Sequence, residues 1–123
     1  MKLARQYFLE LSPPQPTRCR FIARKGAWHG CTIAALSVGD FKARKTLFEP
    51  ILPENVSRVS ACNVYRDLLE GESIEQFVAR LAQELEDEFQ RFIPETVCAF
   101  ITEPVVGAVS KIHSRRSVIH SML

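Results

Sequence analysis

The sequence predicts an α/β fold, and three observations carry that prediction. From Val97 to Ile101 runs V-C-A-F-I, a continuous apolar stretch of strand length, as suits a sheet strand covered on both faces. Ahead of it, Ile74, Phe77, Val78, Leu81, Leu85, Phe89 and Phe92 recur at helical spacing and form one apolar stripe. Nearer the amino end, R-C-R-F-I-A-R from Arg18 to Arg24 reads as a short strand, because Phe21 and Ile22 suit a pleated surface and Gly26 lies just beyond. Strand, helix, loop, helix, strand is the order of an α/β domain.

The elements follow in turn. Lys2 to Leu11 places Leu3, Ala4, Tyr7, Phe8 and Leu11 on one side of an amphipathic helix, which Ser12, Pro13 and Pro14 terminate. A second helix is expected from Cys31 to Val38, with Gly39 suited to its C-cap. Between Asp40 and Gly71 no period is sustained, and Pro50, Pro53 and Asn55 punctuate the chain, leaving one brief strand from Val56 to Ala61. A connection of that length is functional, disordered or laid across a partner subunit. Ser73 with Gln76 forms a capping box that opens the long helix, and Glu84, Glu86, Asp87 and Glu88 are expected on its solvated side.

With 123 residues the chain is long enough for one domain. It contains no apolar run of the roughly 18 residues that mark a membrane span, and Met1 leads into Lys2 and Arg5 rather than an apolar signal core. A soluble cytoplasmic protein is therefore expected. Cys19, Cys31, Cys62 and Cys98 are scattered, without C-x-x-C or nearby histidine, and read as reduced, partly buried packing residues. Arg24, Lys25, Lys42, Arg44 and Lys45 are interleaved with apolar residues, which suits solvated faces better than a nucleic-acid surface.

Two constellations could carry chemistry. A-W-H-G, Ala27 to Gly30, falls between a predicted strand and the next helix, where ligands of open α/β sheets collect. Trp28 could stack on a flat ligand and His29 offers a group titrating near neutrality, although a core tryptophan and a hydrogen-bonded loop histidine explain the same residues. T-E-P-V-V-G, Thr102 to Gly107, puts Glu103 at the carboxyl end of the apolar strand, with a solvated or capping carboxylate as the alternative. Neither constellation is a complete catalytic set, and G-x-G-x-x-G, G-x-x-x-x-G-K and H-E-x-x-H are all missing.

In combination the residues say more. R-F-I-A-R-K-G-A-W-H-G-C-T-I-A-A-L-S-V-G, then F-E-P-I-L-P, Y-R and E-T-V-C-A-F-I-T-E-P-V-V-G-A, resemble in order and spacing the large domain of the class III pyridoxal-phosphate-dependent aminotransferases. M-K-L-A-R-Q-Y-F resembles the helix that follows the family's phosphate-binding turn. The resemblance implies part of a fold type I large domain over residues 1–108, a mainly parallel sheet with flanking helices, and a divergent, poorly ordered tail over 109–123. It implies pyridoxal phosphate as cofactor, with Trp28 at the aromatic position that stacks on the pyridine ring, His29 and Gly30 beside it, and Glu103 at the active-site glutamate. The family more often carries tyrosine or phenylalanine where Trp28 stands.

The family's phosphate turn would precede Met1, and its covalently anchoring lysine and pyridine-binding aspartate would follow Ala108, where Lys111 stands too close to Glu103 to match. Asp40 replaces a common glycine, and Phe92-Ile93 a frequent leucine-glycine. The expectation is an aminotransferase-like protein of fungal style, with a place in secondary metabolism, that is inactive alone. As a homodimer or beside a full-length aminotransferase it would share the family's interface, and a non-catalytic partner role is the alternative. A nucleic-acid or anionic-surface binder is the third reading.

Overall fold

The computed structural model describes residues 1–106, in which β1 (Arg20–Arg24), β2 (Val56–Val59) and β3 (Val97–Ile101) form a parallel sheet in the order β2-β1-β3. Phe21 pairs with Val56 on one side and with Ala99 on the other, after a register irregularity between Arg20 and Phe21. Phe21, Ile22 and Ala23 are all buried. Because successive residues of a strand face opposite ways, both faces of β1 are therefore covered. Among the described residues β3 has β1 on one side only, and its last three residues are half-buried, less covered than its apolar run suggests.

Helix α5 (Ile74–Phe92) supplies most of that cover. Its capping box is complete: the Ser73 hydroxyl accepts from the Gln76 amide, and the Gln76 side chain accepts from the Ser73 amide. From its stripe, Leu85 and Phe92 join Ile22, Val59 and Val97 in one cluster, while Phe77 and Leu81 close on Cys62 in a second. Burial of each such side chain contributes about 1.5–3 kcal/mol. The solvated side is less uniform than expected. Glu84 accepts from the amide and hydroxyl of Ser60, both at 3.0 Å, and Glu88 accepts from Ser57 and Arg91, so both carboxylates tie the helix down.

At the amino end, α1 (Lys2–Glu10) buries none of its apolar stripe, and Leu3 is 81% exposed. It is anchored through Arg18, whose guanidinium lies over Phe8 and donates to the carbonyls of Pro94 and Val97, and whose own carbonyl accepts from Arg5. Helix α2 (Ile33–Val38) starts later than expected because Thr32 is its N-cap, with Oγ1 accepting from the Ala35 amide. Gly39 ends it in an extended conformation rather than the left-handed one a C-cap glycine favours, and its closest surroundings are the Ala27 and Ala35 carbonyl oxygens. The unpatterned stretch that follows contains short turns: α3 (Lys42–Lys45), a 3-10 turn (Thr46–Ile51) and α4 (Val64–Asp67).

Cys62 and Cys98 are buried, as packing residues should be, but Cys19 and Cys31 are exposed. Arg24 and Lys45 also depart from expectation, since both are buried rather than solvated. No helix among the described residues is long and apolar enough to cross a membrane. The tail expected over residues 109–123 lies outside the described residues, as does Gly107 of the second motif.

Candidate functional site

The turn after β1 is held by one carboxylate. Gly26 has φ +69°, which a side chain would strain, and its amide donates to Asp40 Oδ2 at 3.0 Å. The Asp40 amide in turn donates to the Ala27 carbonyl at 2.9 Å. Behind Asp40 stands Arg58 of β2. Its Nε is 3.5 Å from Asp40 Oδ1, an ionic contact without hydrogen-bond alignment, while its terminal nitrogen donates to the Ser37 and Gly39 carbonyls at 2.5 and 3.0 Å. Lys45 Nζ donates to the same two carbonyls at 3.2 and 3.0 Å. Burial, with Arg58 nearby, pushes the Lys45 ammonium below its ordinary pKa, and Asp40 and Glu49 partly restore it. These cations sit at the carboxyl end of α2, where the unpaired carbonyls of a helix attract positive charge.

Trp28 and Glu103, far apart in sequence, meet across the ends of β1 and β3. Glu103 Oε1 accepts the Trp28 amide proton at 2.5 Å. Here Glu103 is neither a free carboxylate nor a helix cap; it fixes the backbone that carries the ring. His29 follows, half-buried, with Nε2 shielded and without a hydrogen-bond partner among the described residues. Burial lowers its pKa below the ordinary histidine value, and the charge of Glu103 acts in the opposite direction. Gly30 has φ +117° and lies against Ala35, so a side chain there would be strained.

The side chains of Trp28 and His29 diverge. The indole lines a cavity of about 360 Å³ together with Cys31, Leu36, Ala43, Arg44, Leu47 and Phe48. His29 lines another, of about 410 Å³, with Lys2, Thr32, Val38 and Ile101 among its neighbours. Phe41 meets the Trp28 ring edge-on at 6.0 Å, and the Arg44 guanidinium lies over it, 5.2 Å from its centroid. No group of three or more potential metal ligands occurs among the described residues.

Residues 1–122 match the family model for class III aminotransferases. The chain belongs to that family. An aminotransferase of Gibberella zeae is 51% identical over 109 residues, 88% of this chain and 21% of the relative. An uncharacterized aminotransferase of Schizosaccharomyces pombe is 48% identical over 108 residues, 88% of this chain and 23% of the relative. Both are fungal, in keeping with the style of the sequence. Among solved structures, an omega transaminase from Pseudomonas jessenii in complex with PMP superposes with a TM-score of 0.86 at 32% identity, covering 98% of this chain and 26% of that one. The chain thus spans about a quarter of the length of these aminotransferases. Its parallel sheet with flanking helices is the fold type I pattern of the pyridoxal-phosphate-binding transaminases.

All four residues singled out in the sequence, Trp28, His29, Gly30 and Glu103, lie at one edge of this class III segment. Sequence reasoning did not find Asp40, Arg58 and Lys45, which hold the turn, or Arg44, which covers the indole. Asp40 was noticed as a departure from glycine, but its pairing with Gly26 and Arg58 spans chain separations that no local pattern encodes.

Proposed function

We propose that this segment forms one wall of a pyridoxal-phosphate site in an aminotransferase that moves an amino group between an amine or amino acid and an oxo acid. The observation that carries the reading is the bond from the Trp28 amide to Glu103, which joins the two motifs and sets the indole at the carboxyl edge of the sheet. The residues present fit one side of a flat ring. The indole borders a cavity walled mainly by apolar groups, and His29 keeps a shielded nitrogen without a partner close to the same turn. When bound, pyridoxal phosphate supplies an electron sink for carbanion chemistry.

Each residue then has a defined task. Trp28 offers its face to the pyridine ring, and the buried side chain of Leu36 makes that side apolar. Glu103 positions Trp28 through the backbone, and Gly30 gives the turn a conformation that other residues resist. His29, its pKa lowered by burial, presents an uncharged imidazole at neutral pH.

The segment does not transaminate alone in this reading. Lys2, Lys25, Lys42 and Lys45 all lie off the Trp28 cavity, and the ammonium of Lys45 is engaged with two carbonyls. The anchoring lysine and the pyridine-binding aspartate are supplied from outside these residues. A second reading, that of a non-catalytic partner of a full-length aminotransferase, draws support from Leu47 and Ile51 of the 3-10 turn, which are 87% and 64% exposed. A setting in fungal secondary metabolism belongs to the same proposal.

Titrating the full chain with pyridoxal phosphate, followed by borohydride reduction and peptide mapping, tests this reading. A saturable absorbance change that weakens at least about fivefold in Trp28→Leu, with no single lysine labelled, is expected for a stacking platform. No saturable change would sink the cofactor wall. One uniquely labelled lysine would overturn the claim that the chain lacks its own anchor.

A further inference from the structure

Cys19 and Cys98 stand together where β1 meets β3. From Arg20 to Phe21 β1 advances one residue while β3 advances two, from Val97 to Ala99, so Cys98 is the extra residue of a bulge. Cys19 immediately precedes β1, and its amide donates to the Thr96 carbonyl at 3.0 Å. Its own carbonyl accepts from Asn55 Nδ2 at 2.6 Å, which fixes the residue from both sides. Because Val97 and Cys98 together oppose Arg20, Cys19 and Cys98 are offset by between one and two residues. Neighbouring strands lie about 4.8 Å apart and rise about 3.3 Å per residue, which separates the two Cα atoms by about 6–8 Å, near the upper limit for a disulfide.

The two side chains share a face. Arg20 lies over Phe92, and Ile22 and Val97 pack in the Phe92 cluster, so all three face α5. Cys19 and Cys98, the neighbours of Arg20 and Val97, therefore face the opposite side. Charges gather there. Arg18 donates to the Val97 carbonyl at 2.8 Å, and Arg5 donates to the Arg18 carbonyl at 2.7 Å. Burial raises the Cys98 thiol above its ordinary pKa; Arg5, the Met1 amino group and Arg18 pull it down, and nearby Cys19 pushes it up. Cys19 is exposed and meets solutes from solvent, whereas Cys98 is buried and screened from them.

We propose that Cys19 and Cys98 are a modification site, a dithiol that a peroxide closes to a disulfide linking β1 and β3. In the first step the Cys19 thiolate attacks a peroxide oxygen and breaks the O–O bond, giving a sulfenic acid and, after protonation, water. In the second the Cys98 sulfur attacks the Cys19 sulfur: the S–S bond forms, the S–O bond breaks, and the Cys98 proton leaves with the hydroxyl as water. The thiols lose two electrons and the peroxide gains them. As the unpaired residue of the bulge, Cys98 is the part of β3 that can close the remaining distance without giving up a partner.

The full chain is treated with hydrogen peroxide, remaining thiols are alkylated after unfolding, and peptides are mapped by mass spectrometry without reduction. A monomer lighter by two hydrogens is expected, with one linked pair, Cys19 to Cys98, that dithiothreitol reopens. Dimedone, which captures sulfenic acid, should label exposed Cys31 equally in wild type and Cys98→Ser, and should label Cys19 at least about fivefold more in the variant. Cys19→Ser alters only an exposed side chain and should leave Cys98 reduced, which decides the matter should Cys98→Ser fail to fold. Absence of the Cys19–Cys98 pair, a pair formed through Cys31 or Cys62, or a disulfide between two chains through Cys19 would overturn the proposal. So would oxidation of Cys98 in Cys19→Ser, or equal dimedone labelling of Cys19 with and without Cys98.

Discussion

Two regions flank the sheet, and they are held by different physics. Under α5, adhesion comes from apolar side chains of a repeating stripe: Phe77, Leu81, Leu85 and Phe92 are buried, and their partners are the apolar residues of the sheet and Cys62. At the carboxyl ends of β1 and β3, adhesion comes from charged side chains that grip main-chain atoms: Asp40 on the Gly26 amide, Glu103 on the Trp28 amide, and Arg58 and Lys45 on the carbonyls of Ser37 and Gly39. The apolar contacts tolerate small displacements, because burial is non-directional. Hydrogen bonds of 2.5–3.2 Å do not, since they weaken steeply with misalignment. A fold can rest on the first kind, while a binding turn needs the second.

The largest separation between the regions should come from Phe77→Ala. Phe77 is fully buried, so the substitution leaves a cavity and is expected to cost about 3–5 kcal/mol in urea unfolding. In the fraction that remains folded, Trp28 emission should keep its wild-type maximum. A shift of that maximum would show that the apolar side also sets the turn, and the contrast between the regions would fail.

Asp40→Asn probes the other side. It removes the charge facing Arg58 while nearly preserving shape, and about 1–3 kcal/mol of stability is expected to go with it, less than for Phe77→Ala. Its signature is local: Trp28 emission should move to longer wavelength under conditions where the protein is still fully folded, because the Gly26 amide keeps only a neutral acceptor and the turn loses its charged link to Arg58. An unchanged spectrum would mean that Glu103 alone fixes the indole.

The same division explains what the sequence made legible. Strands β1 and β3 and helix α5 could be placed because periodicity and capping are local, and Ser73 with Gln76 announced the start of α5 to the residue. Trp28, His29, Gly30 and Glu103 could be singled out because they fall at strand ends. Their assembly was not legible, since the bond from Trp28 to Glu103 joins residues 75 positions apart. Helices α3 and α4 escaped because each has only four residues, too few to show a period. Lys45 looked like a solvated cation because nothing near it in sequence shows that two carbonyls wait for it.

Ile93 is where the legible region breaks its own rules, and it supplies the smallest and sharpest test. It terminates α5 with φ +65°, a left-handed conformation in which a β-branched side chain is strained. The side chain is 61% exposed, so little packing would be lost on removing it. Ile93→Gly relieves the strain but makes the unfolded chain more flexible, two effects of opposite sign and each about 1 kcal/mol or more. Relief should win: a gain of about 0.5–1 kcal/mol is expected in thermal or urea unfolding, because a β-branched residue is among the least suited to positive φ. Trp28 emission should not change, since Ile93 precedes β3 and Glu103 follows it, at opposite ends of the strand. A loss of stability would mean that the exposed isoleucine is covered by something it meets elsewhere, and the end of α5 would then belong to an interface rather than to a strained turn.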